Sequence, residues 1–339
     1  MMRGRRGASR LRGVPGSPPP HPLKLKVVSV FAPASVANLG VGFDAIGAAI
    51  DGPGDVVTAR LSGTPGVRVV AVTGDGGRLP RDAARNTAAV AARAVLDAFG
   101  GTTRAGIDLT LAKGLPLASG LGSSAASAAA GAYAAALLLG VPEKTMLLRA
   151  VLLAEHAADG GWHGDNGFPS LLGGIRLVPF SDPDGPLEAI ALPVPPRLRL
   201  VLVHPSLELP TRQARRVLPR RVTLAEHVRG GAALAGLVAA LHSGDVAAAG
   251  RFAASDRIVE PARSPLVRGY AAVRRAMEEA GALGVVLAGA GPALVALAVS
   301  TASAARIALA GAAAFRAAGV AAEARVHRVD PVGARRVRR

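Results

Sequence analysis

The 339-residue chain has no cysteine. Disulfide bridges and thiolate metal centres are therefore excluded, and the composition fits a reducing compartment such as the cytoplasm. Aromatic residues are scarce: one Trp, two Tyr and seven Phe. They offer no platform on which nucleic-acid bases could stack. Acidic residues are few as well, 23 Asp and Glu against 40 Lys and Arg, for a formal charge of +17. Twelve of those seventeen charges lie in residues 1–26 and 325–339, so the excess describes the two ends and not a binding face. A nucleic-acid binder resting on these ends would lose affinity with salt and with their removal. Long apolar runs are missing too. Ser123–Leu139 is mostly Ala, and Ala282–Val299 is broken by Gly289, Gly291 and Pro292, so neither reads as a membrane span.

The length accommodates two domains with a shared interface. Residues 1–26 are Arg-, Gly- and Pro-rich without an apolar signal core, and are expected as a disordered basic tail. Strand-like runs at 27–35, 41–50, 107–116 and 198–205 alternate with helical runs at 86–99, 124–139 and 142–159. Asp51-Gly52-Pro53-Gly54 has the chemistry of a turn. The Pro- and acid-rich stretch 181–196 is the expected domain boundary, after which helices at 223–242, 244–254, 265–280 and 302–318 surround an apolar strand pair at 282–299. The resulting expectation is an α/β layered fold with domains at 27–185 and 186–325, and a second basic tail at 326–339.

One stretch carries chemistry. In PLASGLGSSAAS (116–127) a strand ends, two glycines follow, and an Ala-rich helix begins near Ser123 and Ser124. Glycines allow backbone N–H groups to approach an anion closely, and the helix start adds unpaired donors and the positive end of its dipole. Together these make a phosphate cradle. It is not a Walker A loop, because no Gly-Lys-Ser/Thr follows, and it lacks the Gly-x-Gly-x-x-Gly of dinucleotide-binding folds. An ordinary helix cap would produce the same residues, so spacing alone leaves both readings open.

The stretch resembles the signature of the GHMP small-molecule kinases. APASVANLGVGFDAIG (32–47) and LAGAGPALVAL (287–297) resemble two further motifs of that family in the expected order. Within it, HGDNGFPSLLGG (163–174), TRQARRVLP (211–219) and EPAR (260–263) resemble the homoserine kinases. The resemblance covers residues 27 to about 324. It implies a two-layer α+β architecture, with an N-terminal domain like ribosomal protein S5 domain 2 and a ferredoxin-like C-terminal domain. It also implies ATP and Mg²⁺ as cofactors and L-homoserine as the small-molecule partner, with no nucleic acid, no membrane and a homodimer admitted. The activity implied is O-phosphorylation of homoserine, a step towards threonine.

Particular residues take roles from this resemblance. Pro116, Ser119, Gly120, Leu121, Gly122, Ser123, Ser124 and Ala125 would cradle the nucleotide phosphates, with Asn86 near the base. Glu155 lies on an apolar helical stripe with Leu148 and Val151, so it is either salt-bridged or a ligand; the family makes it a Mg²⁺ ligand with a loop serine, Ser124 in preference to Ser123. Asp44 is the first acid of the chain, set among apolar residues. It suits an ammonium counter-ion, with Asn38 and His163 as further substrate contacts. Arg215 and Arg263 suit a substrate carboxylate, since Arg pairs bidentately, and Thr211 lies one helical turn before Arg215.

Where related kinases place a catalytic Asp, this chain has Asn166, which cannot accept a proton. Direct in-line transfer without a protein general base is therefore expected. Trp162 and Phe168 are bulkier than the shared pattern and are expected to narrow or reshape the acceptor pocket, which leaves room for another hydroxy-amino acid. Two alternatives follow from the same residues: another small-alcohol or hydroxy-amino-acid kinase of the family, or an inactive relative acting as a binding protein.

Overall fold

A computed structural model describes residues 25–100, 106–179, 181–182 and 184–338. The expected N-terminal tail falls almost entirely outside these residues. The chain begins with β1 (Val27–Ala37) and β2 (Ile46–Ser62), which pair antiparallel. β3 (Val67–Thr73), α1 (Thr87–Phe99) and β4 (Gly106–Ala112) follow, and then α2 (Ser123–Leu138). After a 3-10 turn come α3 (Leu148–Asp159), α4 (Gly167–Leu172), β5 (Ile175–Leu177) and β6 (Ile190–Leu192).

The main path of the first sheet runs β11-β1-β2-β4-β3, where β11 is Arg335–Val337, and β5 and β6 extend it alongside β2. α2 is built almost wholly of Ala, Ser and Gly and is buried around nearly its whole circumference. Such a helix has no polar face and belongs inside a core. Its small side chains let it lie close to both α1 and the sheet, and so the loop before it is anchored at the centre of the domain.

The second sheet contains β7 (Arg199–Pro205), β8 (Val285–Leu287), β9 (Leu294–Ala298) and β10 (Ala322–His327), in the order β10-β7-β9-β8. Between β7 and β8 lie α5 (Thr211–Arg216), α6 (Leu224–Ser243), α7 (Val246–Ala253), α8 (Val259–Arg263) and α9 (Tyr270–Glu279). α10 (Thr301–Ala317) connects β9 to β10. Numbered within the domain, the order is 4-1-3-2 on a βαββαβ frame, which is the ferredoxin-like arrangement. A second apolar cluster centred on Val201, Val273, Ile307 and Phe315 holds α9 and α10 on this sheet. α6 is the one described helix long and apolar enough to cross a membrane, although only 17% of its apolar window is buried. A Thr223–Glu226 capping box closes its start.

Three sequence expectations are corrected. Asp51-Gly52-Pro53-Gly54 does not end a strand, because β2 continues through it. The register shifts there, and the extra residues pair instead with the C-terminal segment, through Ile50 with Val329 and Asp51 N with Arg328 O at 2.9 Å. Residues 326–338 are accordingly not a tail. They return to the N-terminal domain, where β11 pairs with β1 and Arg335 binds Asp330 at 2.8 Å. The boundary also lies late in its expected window, because β6 at 190–192 still belongs to the first sheet.

Candidate active site

A cleft of about 310 Å³ opens where the two domains meet. One wall is the loop between β4 and α2. Gly120 and Gly122 hold φ of +80° and +63°, where a side chain is strained. Space excludes one as well. A Cβ on Gly122 would lie 2.2 Å from Ser35 Oγ, and one on Gly120 would lie 2.5 Å from the Ala288 carbonyl oxygen. The loop is thus pressed between the N-terminal motif and the C-terminal glycine turn. The Ser35 amide donates to Leu121 O at 3.2 Å, and its hydroxyl donates to Asn166 Oδ1 at 2.9 Å.

α2 starts at Gly122 without a side-chain cap, and its first turn lines the cleft. Unpaired N–H groups and the positive dipole end are therefore available to an anion. The two serines differ. Ser123 Oγ turns to the Leu115 carbonyl oxygen at 3.5 Å, whereas Ser124 lies beside Glu155, where its hydroxyl favours the charged carboxylate. Glu155, on α3, is buried, and its Oε1 has no hydrogen-bond partner among the described residues. Burial pushes its carboxyl up to about 7, with the His163 charge pulling the other way.

Below the loop lies a group that sequence reasoning did not pick. Lys113, at the end of β4, donates to the Asp55 carboxylate, to Ser123 O at 2.8 Å and to Ser127 Oγ at 3.0 Å. Ser127 Oγ and the Gly114 amide donate to Asp55 at 2.7 and 3.1 Å. Burial lowers the Lys113 pKa, against the attraction of Asp55. One signal was legible: Lys113 is one of four lysines in the chain and lies in the strand-like run that leads to the glycine loop.

The opposite wall is charged. Arg215 Nη1 and Nη2 donate to the two Asp44 oxygens at 3.0 and 2.8 Å. Arg263 is only 2% exposed and, among the described residues, has no carboxylate within ion-pair distance. Its Nε donates to Ala214 O and its Nη1 to Gly289 O, both at 3.2 Å. His163 Nε2 lies 3.1 Å from Asp159, and its Nδ1 lies 3.7 Å from Asp165. Burial works against the imidazolium, but the Asp159 hydrogen bond and the charges of Asp165, Asp159 and Glu155 raise it to about 9. Asp165 is itself pushed up to about 6 by burial, and its Oδ1 has no hydrogen-bond partner among the described residues.

Of the residues expected from sequence, Asn38, Asp44, Asn86, Ser119, Gly120, Gly122, Ser123, Ser124, Glu155, His163, Asn166, Thr211, Arg215 and Arg263 line this one cleft. Pro116, Leu121 and Ala125 do not line it; Pro116 is exposed, while Leu121 and Ala125 are buried in the core. Asn38 and Asn86 arrive with their amides engaged. Asn38 donates to Gly289 O at 2.7 Å and accepts from the Asp44 amide at 3.1 Å. Asn86 caps α1 and donates to Pro80 O at 3.0 Å. Trp162 and Phe168, expected to narrow or reshape the pocket, do not line the cleft. Trp162 stacks on His156 with ring centres 3.8 Å apart, and Phe168 is fully buried. Asp159 and Asp165, both in the wall, were not anticipated.

An uncapped helix start beside a glycine loop on one wall and a zwitterion-sized pattern of charges on the other are what the cleft of a small-molecule phosphotransferase requires. Comparison with known proteins agrees. The family model for the GHMP kinases N terminal domain matches residues 86–174, and that for GHMP kinases C terminal matches residues 237–317. The chain belongs to the GHMP kinases. It is 41% identical over 287 residues to a homoserine kinase of Chloroherpeton thalassium, covering 81% of this chain and 88% of that one. It is also 41% identical over 324 residues to a homoserine kinase of Arabidopsis thaliana, covering 94% and 86%. The crystal structure of homoserine kinase from Cytophaga hutchinsonii superposes with a TM-score of 0.87 at 41% identity, over 93% of this chain and 98% of that one. L. major mevalonate kinase, at 19% identity and a TM-score of 0.65 over 89% of this chain and 95% of that one, shares the fold.

Proposed function

We propose that the protein transfers the γ-phosphoryl group of ATP to the side-chain hydroxyl of L-homoserine, giving O-phospho-L-homoserine and ADP, a step towards threonine. The observation that carries this reading is the buried Arg263 guanidinium, without an ion-pair partner among the described residues, in the same cleft as the uncapped start of α2. A buried cation is costly until an anion reaches it, and an amino-acid carboxylate is of the right charge and shape.

In this reading the ammonium of homoserine meets Asp44, its carboxylate meets Arg215 and Arg263, and its hydroxyl is directed at the phosphate loop. The orphan Glu155 oxygen and the Ser124 hydroxyl fit a hard divalent cation. Among the described residues no cluster of three or more protein ligands exists, so phosphates and water would complete the shell. Mg²⁺ held there supplies neutralisation of charge on the transferring phosphoryl group.

Asn166 is an amide, and its Oδ1 accepts the Ser35 hydroxyl. It orients; it does not take a proton. The substrate hydroxyl oxygen attacks phosphorus as the bond to ADP breaks, and the proton leaves late, to the transferred phosphate or to water. A loose transition state makes positioning and charge neutralisation sufficient. The test is Mg²⁺-dependent ADP release with L-homoserine, L-threonine, L-serine and mevalonate in parallel. Turnover with homoserine alone is expected. Turnover with another acceptor alone would overturn the assignment of Asp44, Arg215 and Arg263, and no turnover with any would favour a binding protein.

A further inference from the structure

Phe43 stands between Gly42 and Asp44 in the N-terminal motif and has no part in the chemistry above. Its ring lies 5.0 Å from the guanidinium carbon of Arg263 and 5.6 Å from that of Arg215. Both distances are within the range of a cation–π contact. The two arginines come from different elements, α5 and α8, and they repel: Arg215 is among the causes that lower the Arg263 pKa, after burial. Asp44 neutralises Arg215 but does not form an ion pair with Arg263. Among the described residues the Phe43 ring is the one aromatic group within cation–π distance of both cations.

We propose that Phe43 is a positioning residue for acceptor recognition, gathering Arg215 and Arg263 so that both guanidinium groups meet one substrate carboxylate. This deepens the proposed function and rests on its assignment of those arginines to the carboxylate. Two like charges converging on one anion must be held together before the anion arrives, or binding must supply the cost of collecting them. An aliphatic side chain at position 43 would fill space equally well without attracting either cation. Phe43 therefore contributes to discrimination between carboxylate-bearing and carboxylate-free acceptors, without touching the transferring phosphate.

The experiment compares Phe43→Leu, Phe43→Tyr and Arg263→Met with the unaltered protein. The acceptors are L-homoserine and its amino-alcohol analogue, in which a hydroxymethyl group replaces the carboxylate. For Phe43→Leu the KM for homoserine is expected to rise roughly 3- to 30-fold, the range of one or two cation–π contacts. The kcat, the KM for ATP and the KM for the analogue are expected to stay within about twofold. Phe43→Tyr keeps the ring face and is expected to retain the KM for homoserine. An equal rise for both acceptors, or the same loss in Phe43→Tyr, would show that Phe43 only packs. Arg263→Met separates the two readings. If it leaves the preference for homoserine over the analogue intact, the carboxylate assignment fails. If it abolishes that preference while Phe43→Leu does not reduce it, only the role of Phe43 fails.

Discussion

Asp44 and Arg215 are separated by 171 residues in sequence and meet through two hydrogen bonds of 2.8 and 3.0 Å. The pair joins the N-terminal motif to the first helix after β7 and closes one side of the cleft. Each side chain remains about a third exposed, 32% for Asp44 and 28% for Arg215. Its value therefore lies in orientation more than in stability. Removing either partner leaves the other free to turn away from the substrate. Asp44→Asn and Arg215→Met are each expected to raise the KM for homoserine roughly 30- to 100-fold, with the KM for ATP nearly unchanged. The double variant is expected to lose less than the two single losses combined, because the residues act as a unit. Steady-state kinetics on the four proteins checks this, and full additivity would show that the pair is incidental.

Glu155 sets function against stability. Its carboxylate is buried beside Ser124 with one oxygen unbonded, and burial pushes it up to about 7. Such a group destabilises the fold once ionised and is retained for what it holds. Glu155→Gln is expected to lower kcat at least about 100-fold while the protein at pH 8 melts at the same temperature or higher. Loss of activity together with a lower Tm would instead make Glu155 a structural residue.

The loop between β4 and α2 was legible as a structure because its signal is local: a strand, two glycines and a helix start lie within a dozen residues. The acceptor side was legible only as a set of residue types. No spacing indicates that Asp44 bonds Arg215 while Arg263 has no ion-pair partner among the described residues, since those facts depend on how two domains meet. Lys113 and Asp55 were missed for the same reason, lying on different strands 58 residues apart. The C-terminal strand was hidden by its composition. Arg335–Val337 is short and basic, and only its pairing with β1 and the Arg335–Asp330 contact reveal it. Asp51-Gly52-Pro53-Gly54 carries turn residues, yet the same C-terminal segment supplies partners that let β2 continue.

The Lys113–Asp55 pair is buried on both sides, each side chain 1% exposed. Replacing one partner strands the other charge in the core. Lys113→Met is expected to destabilise the protein by about 3–5 kcal/mol. Adding Asp55→Asn is expected to recover much of that loss, because an amide still accepts from Ser127 or Gly114 without needing a cation. Chemical denaturation of the two variants measures both effects. A double variant no more stable than Lys113→Met would mean that loss of the contact to Ser123 O, and not the stranded charge, dominates.

His163 gives the structure a pH dependence of defined sign. In the fold its pKa is raised to about 9, with burial opposing the charge and the Asp159 bond and the charges of Asp165, Asp159 and Glu155 overcoming it. A raised folded pKa means that the protonated ring stabilises the native state. That contribution is complete below the unfolded value of about 6.5 and is lost as the pH rises through about 9. The shift corresponds to about 3 kcal/mol of stability over that window. Glu155, also raised, contributes stability that is complete below its ordinary carboxyl range and is lost as the pH rises to about 7. The two groups therefore act in successive windows. His163→Asn, which cannot titrate, is expected to remove the decline between about pH 6.5 and 9 and to leave the acidic one. Unfolding free energies from urea titrations at pH 6, 7.5 and 9.5 distinguish the outcomes. An alkaline slope unchanged by the substitution would place the titration elsewhere and reduce the Asp159–His163 contact to a neutral hydrogen bond.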